Sequence, residues 1–216
     1  MSSNSSSPVA FTDFADGWLA DEAPVASARE RAREFGISSV SPATARFLTF
    51  LTSSLQAQAV VEVGTGTGVS GAALVAGMTP GGMLTSIDTE AEYQRYARET
   101  LQALGHETSR ARLIAGRALD VLPRMSDGAY DVVVVDSDRS EYPAILAQAK
   151  RLLRIGGVVA FIGIGEDGMV ADPSRRDAEA SAVKETAALV KEDGDWVPSL
   201  LTEGDGSLVA CLVRRD

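Results

Sequence analysis

The chain has 216 residues, 45% of them hydrophobic, with 30 acidic against 20 basic side chains and a net charge of −10. That length suffices for one domain with a three-layer core, no apolar run approaches the roughly 20 residues of a membrane span, and the negative balance disfavours a nucleic-acid backbone as partner. A single cysteine, Cys211, excludes an internal disulfide and reads as inert apolar packing.

In chain order, MSSNSSSP is Ser-rich with neither a basic stretch nor a following apolar run. Residues 1–10 therefore read as a disordered tail rather than a secretion signal, with a cytoplasmic location as the default. Residues 11–216 read as one domain, with helices over 11–56 and an alternating core over 58–216. Phe11, Phe14, Trp18 and Leu19 recur at helical spacing, 21–35 is charged and Ala-rich, and Ser41-Pro42 opens a third helix as N-cap and first position. Such an extension covers the mouth of a site, builds an oligomer contact, or simply packs on the sheet.

From residue 58 strands and helices alternate. Strands are expected over 58–63, 82–88, 111–115, 130–135 and 158–164, with helices over 68–78, 90–104 and 141–153, the last broken by Gly156-Gly157. The run Tyr130 to Val135 carries four consecutive β-branched valines, as in a strand buried on both faces. After Asp172-Pro173 a helical pattern extends to about Glu192, and 196–201 with 208–213, separated by Glu203-Gly204-Asp205-Gly206, read as a hairpin. The expected fold is α/β and Rossmann-like, a doubly wound, mostly parallel seven-stranded sheet with helices on both faces and a C-terminal antiparallel β-hairpin.

The organising stretch is AVVEVGTGTGVSGAA, residues 59–73, a strand, a glycine turn and a helix start. Glycines let backbone N–H groups approach a ligand, and the first helical amides lack internal partners. Gly66 to Gly71 spells GxGxxG and Asp88 follows Gly68 by 20 residues, so a dinucleotide is formally open. Glu62 argues otherwise, because a carboxylate inside the strand repels a pyrophosphate and suits a cation. S-adenosylmethionine (SAM) carries an ammonium and a sulfonium, and its carboxylate could accept from Ser70 and the helix amides.

Ligands in an open parallel sheet bind beyond the carboxyl ends of the strands. Those ends supply Glu62 and Gly64 to Ser70, then Asp88, then Gly116-Arg117-Ala118, then Asp136-Ser137-Asp138-Arg139. Asp88 suits both ribose hydroxyls of an adenosine or a helix cap, and the Ala118 amide suits an adenine edge or merely a tight turn. Asp136 and Asp138 can converge on one cation. His106, the only histidine, reads as a surface cap rather than a base.

Together VVEVGTGTGVS, SIDTE, GRALDVLP, DVVVVDSDRSEY and LLRIGGVV resemble the small cation-dependent O-methyltransferases that include catechol and caffeoyl-CoA O-methyltransferases, in their bacterial branch. The resemblance runs from about Val40 to the C-terminus. It implies that Val40, Glu62, Gly64, Thr65, Gly66 and Ser70 cradle SAM, with Asp88 on the ribose, Ala118 on the adenine and Asp138 on a polar part of the cofactor. It also implies that Asp136 faces the substrate, that the acceptor is a small molecule, and that the protein is a homodimer.

Two departures stand out. Relatives carry an Asp-Asn pair after the fifth strand that completes a divalent-metal site, in a run like GGLIVADNVLWDGRVADP. Here GGVVAFIGIGEDGMVADP aligns without a gap and puts Ile162 and Gly163 at those positions. Neither side chain ligates Mg²⁺, so no metal is expected, with Glu166 and Asp167 as conceivable replacement ligands. Arg139 stands where relatives commonly have a lysine base, and a guanidinium stays protonated, so it orients an anion but does not accept a proton. The expected activity is SAM-dependent methyl transfer to a small-molecule hydroxyl, with Asp136 and Arg139 as catalytic candidates. The alternatives are a non-catalytic SAM-binding sensor or partner subunit and, disfavoured by Glu62, a nicotinamide-dependent oxidoreductase.

Overall fold

Alternation along the central strands sends neighbouring residues into two separate cores. In the computed structural model, which describes residues 8–202, 204 and 206–215, the strands are β1 (Ala59–Val63), β2 (Met83–Asp88), β3 (Ala111–Ala115), β4 (Tyr130–Val135), β5 (Leu153–Ile162), β6 (Trp196–Leu201) and β7 (Ser207–Leu212). The helices are α1 (Pro8–Gly17), α2 (Ala23–Glu34), α3 (Pro42–Ser54), α4 (Val69–Gly77), α5 (Ala91–Ala103), α6 (Ala118–Val121), α7 (Tyr142–Leu152) and α8 (Ala178–Glu192). Val60, Val132, Val134 and Ala160 pack with Leu48, Leu74 and Val75 of α3 and α4 on one face. Val61, Val63, Val133, Val135 and Phe161 pack with Ile145 and Leu146 of α7 and Val183 of α8 on the other. Period-two side-chain placement on a sheet covered on both sides requires this apolar continuity.

The seven strands lie in the order β3-β2-β1-β4-β5-β7-β6. Neighbours from β3 to β5 are parallel, and β7 pairs antiparallel with both β5 and β6. Chain progression outward from β1 to β3 reverses at β4, so a crevice opens beyond the carboxyl ends of β1 and β4. The expected α/β fold with its terminal hairpin is present. Glu203 and Asp205 of the hairpin connection lie outside the described residues.

Three local expectations are corrected. Helix α1 begins at Pro8, inside the stretch 1–10 expected to be a tail, whose residues 1–7 lie outside the described residues. The helix expected over 141–153 is α7, ending at Leu152 and preceded by a 3-10 turn at Arg139–Glu141. Strand β5 begins at Leu153 rather than 158, because Tyr130 pairs with Leu153 and Val132 with Val158. The intervening Gly156, at φ 81°, absorbs the extra residues as an irregularity within the strand instead of separating helix from strand. Beyond Ile162 the chain turns at Gly163, φ 72°, where the sequence pattern extended the strand to 164. Ser41 caps α3 as expected, accepting from the Thr44 N–H at 3.1 Å with Pro42 behind it.

Candidate active site

The turn after β1 is possible only because Gly64 lacks a side chain. At φ 99°, a Cβ there would fall 1.9 Å from the Asp136 carbonyl oxygen, so β1 and β4 touch backbone to backbone at the base of the crevice. Gly68, at φ 92°, turns into α4 against Ala97 of α5, whose Cα would lie 2.7 Å from an added Cβ. The α4 amides thereby face the crevice with Ser70 in the first turn.

Two cavities meet over this turn. One, of about 100 Å³, is lined by Ser38, Ser39, Val40, Gly64, Thr65, Gly66, Ser70, Tyr93, Asp88 and Asp136 among others. The second, of about 370 Å³, is lined by Gly64, Asp88, Gly116, Ala118, Asp136, Asp138 and Glu141 with their neighbours. Gly64, Asp88 and Asp136 border both. The structure thus gathers Val40, Gly64, Thr65, Gly66, Ser70, Asp88, Ala118, Asp136 and Asp138 around one cleft with a narrow and a wide half.

Asp88 accepts three backbone hydrogen bonds. Its Oδ2 accepts from the N–H groups of Thr65 and Gly66 at 2.9 and 3.0 Å, and its Oδ1 accepts from the Glu90 N–H at 2.9 Å. Of the two readings of the sequence, the helix-start cap is present, and the same side chain also braces the glycine turn. Asp138 caps the 3-10 turn, accepting from the Ser140 N–H at 2.9 Å and its hydroxyl at 2.6 Å. Those two bonds hold its carboxyl below the usual range, so it stays ionised at the rim.

Glu62 lies beneath the cleft rather than on its wall. It is 1% exposed, accepts from the Ser86 hydroxyl at 2.5 Å through Oε2, and leaves Oε1 buried without a hydrogen-bond partner. Burial pushes its carboxyl up to about 7, partly offset by the Ser70 and Ser86 hydroxyls. The fixed negative charge expected inside the strand is thus half neutralised near neutral pH, and its repulsion of a pyrophosphate is correspondingly weaker.

Arg139 is mostly enclosed, with 20% of its side chain exposed, and makes an ion pair with Glu166 through Nη2. Glu179 of α8 stands 3.7 Å from Nη1. The guanidinium lies over Gly163, where a Cβ would come 2.7 Å from Nη2. Beside it, the Tyr142 hydroxyl donates to the Ile162 carbonyl at 3.0 Å and ties the start of α7 to the end of β5. Burial, then the nearby Asp136 charge, raises that phenol well above its ordinary range, so it remains a neutral brace. Among the described residues, no group of three or more His, Cys, Asp or Glu side chains is arranged to hold a metal ion.

Several participants carry no sequence signal. Arg29 of α2 is buried, pairs with Asp21 at 2.6 Å, and donates to the Val40 carbonyl behind the narrow half of the cleft. The Thr67 hydroxyl donates to the Ala28 carbonyl at 2.8 Å, fastening α2 to the glycine turn. Arg29 is one of three arginines at alternate positions in a charged helix, and nothing in that pattern separates it from half-buried Arg31 and exposed Arg33. His106 lies half-buried in a shallow pocket with Arg98 and Leu101, remote from these residues, and burial lowers its basicity. Cys211 is half-buried against the core.

Residues 26–215 match the family model of the O-methyltransferases. A protein of Mycobacterium leprae bearing an O-methyltransferase name is 44% identical over 196 residues, which cover 91% of this chain and 88% of that one. Among solved structures, a Corynebacterium glutamicum protein superposes with a TM-score of 0.88 at 26% identity, covering 95% of this chain and 97% of its own. The O-methyltransferase TomG of Streptomyces achromogenes, involved in tomaymycin synthesis and solved with SAM, gives 0.85 at 26% identity and covers 95% of each chain.

Proposed function

The chain belongs to the O-methyltransferase family, and from that premise we propose that it is an enzyme transferring a methyl group from SAM to the hydroxyl of a small molecule without a divalent metal. The observation that carries this reading is the two-part cleft bordered by Gly64, Asp88 and Asp136, whose floor a single Cβ at Gly64 would obstruct. Val40, Thr65, Gly66 and Ser70 would hold the amino-acid end in the narrow half, and Asp88, Ala118 and Asp138 the adenosine in the wide half. Bound there, SAM supplies an electrophilic sulfonium methyl. The remaining task of the chain is to orient the acceptor oxygen and exclude water, with Asp136 at the junction of the two halves.

The metal of the cation-dependent relatives does not fit these residues. Ile162 is apolar, Gly163 has no side chain, and the cationic guanidinium of Arg139 fills the space over Gly163. Glu166, a conceivable replacement ligand, is instead the ion-pair partner of Arg139. A divalent ion there would have to displace that guanidinium and, with no side-chain oxygen from residues 162 or 163, would keep most of its water.

No described helix is long and apolar enough to cross a membrane, and the reading includes a cytoplasmic, homodimeric protein of one domain acting on neither nucleic acid nor membrane. Calorimetric titration of the full chain should show binding of SAM and S-adenosylhomocysteine but not NAD. Methyl transfer from labelled SAM to a panel of small hydroxyl acceptors should persist in EDTA. Loss of turnover in EDTA with recovery in Mg²⁺ would defeat the metal-independent part, and tight NAD binding the cofactor assignment.

A further inference from the structure

We propose that the methyl acceptor carries an anionic group bound by Arg139, and that the Glu166 carboxylate occupies that group's place when no acceptor is present. The inference rests on the methyl-transfer reading and adds the charge class of the acceptor.

The first support is the geometry of the guanidinium. Arg139 follows the carboxyl end of β4 by four residues, and its Nη2 fills the space that Gly163 leaves at the end of β5. Nε and Nη2 share one edge of the planar fork, the edge that grips a carboxylate with two parallel bonds. Glu166 engages Nη2, while Nε is buried with no hydrogen-bond partner. A carboxylate spanning both donors would satisfy the orphaned one, which Glu166 in this position does not.

The second support is the replaceability of Glu166. It is about one-third exposed and belongs to a 3-10 turn, Glu166–Gly168, in which Asp167 adopts φ 49°. Glu179 remains near Nη1 when Glu166 leaves, so the cation is not stripped of countercharge. Glu166 also lines a groove of about 610 Å³ whose walls include Ile164, Val170, Leu200 and Leu201. Its departure would join that apolar groove, suited to the body of an acceptor, to the guanidinium.

The third support is the field around the site. Asp88, Asp136, Asp138 and Glu141 all border the cleft, and an anionic acceptor would be repelled unless a cation admitted it. Arg117, the cation that lines this cleft, is exposed and already pairs with Glu141 at 2.8 Å, whereas Arg139 stands outside the lining, beside Gly163 and Glu166. Arg139 is the enclosed one, where a charge-assisted bond has most effect.

The test uses the full chain saturated with S-adenosylhomocysteine and titrated with 3,4-dihydroxybenzoate or its uncharged methyl ester. The wild type should bind the acid about tenfold more tightly than the ester, the factor expected of one charge-assisted contact. Arg139→Gln should abolish that preference, and Glu166→Gln should tighten the acid further by removing its competitor. Should Arg139→Gln fail to fold, Arg139→Lys, which keeps the charge and loses the fork, should retain only part of the preference. Equal binding of acid and ester, binding of neither, or weaker acid binding in Glu166→Gln, as a merely structural latch predicts, would overturn the inference. S-adenosylhomocysteine binding is measured first. Its absence in the wild type defeats the cofactor reading, whereas its presence without acid preference defeats only the assignment of Arg139.

Discussion

A carboxyl enclosed between a parallel sheet and the helix packed on it loses most of the hydration that stabilises its anion, and Glu62, between β1 and α4, has few groups to replace it. Ser86 donates to Oε2 and Oε1 has no partner, so the protonated form is favoured in the fold. With the carboxyl raised from 4.5 to about 7, the native state binds the proton more tightly than the unfolded chain. The associated stability is fully present below pH 4.5 and is lost as pH rises through about 7. Urea unfolding across that window should therefore show a decline on the order of 3 kcal/mol from this group. Glu62→Gln, of nearly the same shape and uncharged, should flatten the slope. An unchanged slope in the variant would mean that another group carries it. Asp88 is tied into the fold by three backbone N–H donors, those of Thr65 and Gly66 in the glycine turn and of Glu90 at the start of α5.

At the scale of elements, the cleft depends on α2 as much as on the β1 turn. Helix α2 docks on α5 through Arg31, stacked 4.5 Å over the Tyr96 ring, while Phe35 beyond its end lies 5.2 Å from the same ring. It is tied to the turn by Thr67 and to the Val40 segment by Arg29. Thr67→Val keeps the shape and removes the donor, leaving the buried Ala28 carbonyl without that bond at a cost of about 1–3 kcal/mol. Amide exchange should accelerate in α2 more than in α4, and SAM should bind more weakly. Protection of α2 at the wild-type level would show that the helix is held without Thr67. The strand–turn–helix of residues 59–77 was legible because glycine spacing and β-branched runs are local signals. The β5 boundary was not, since Leu153 joins the strand through its pairing with Tyr130 while Gly156-Gly157 locally resemble a break.

At the scale of the whole molecule, several large apolar side chains of α1 and the turn after it are exposed among the described residues. Phe11, Phe14 and Trp18 are 69%, 63% and 68% exposed, and Leu19 beside them is also exposed. Soluble proteins seldom leave several large apolar side chains so near one another without a partner, which supports the proposed homodimer. Sedimentation equilibrium should give a dimer for the wild type. Phe14→Glu combined with Trp18→Glu should raise the dissociation constant by at least about a hundredfold, as expected when central aromatic anchors are replaced by charge. A dimer of unaltered affinity would place the interface elsewhere. At the other end of the sheet, β6 is an edge strand with Val197 and Leu200 exposed, but Pro198 removes a donor there and blunts it as a template for pairing.

Sequence alone determined the strand–glycine–helix junction, the order of strands and helices, the terminal hairpin and the acids at successive strand ends, because each is written in neighbouring residues or in a short period. Tertiary structure decided what those acids do. Whether Glu62 is a wall or a foundation depends on the layers packed over it, and Asp88 proves to brace the turn because Thr65 and Gly66 fold back onto it. The meeting of Arg139 with Gly163 and Glu166, more than 20 residues away, exists only after β4 and β5 pair side by side. Long-range pairing sets the surroundings of a charge, and those surroundings set its chemistry.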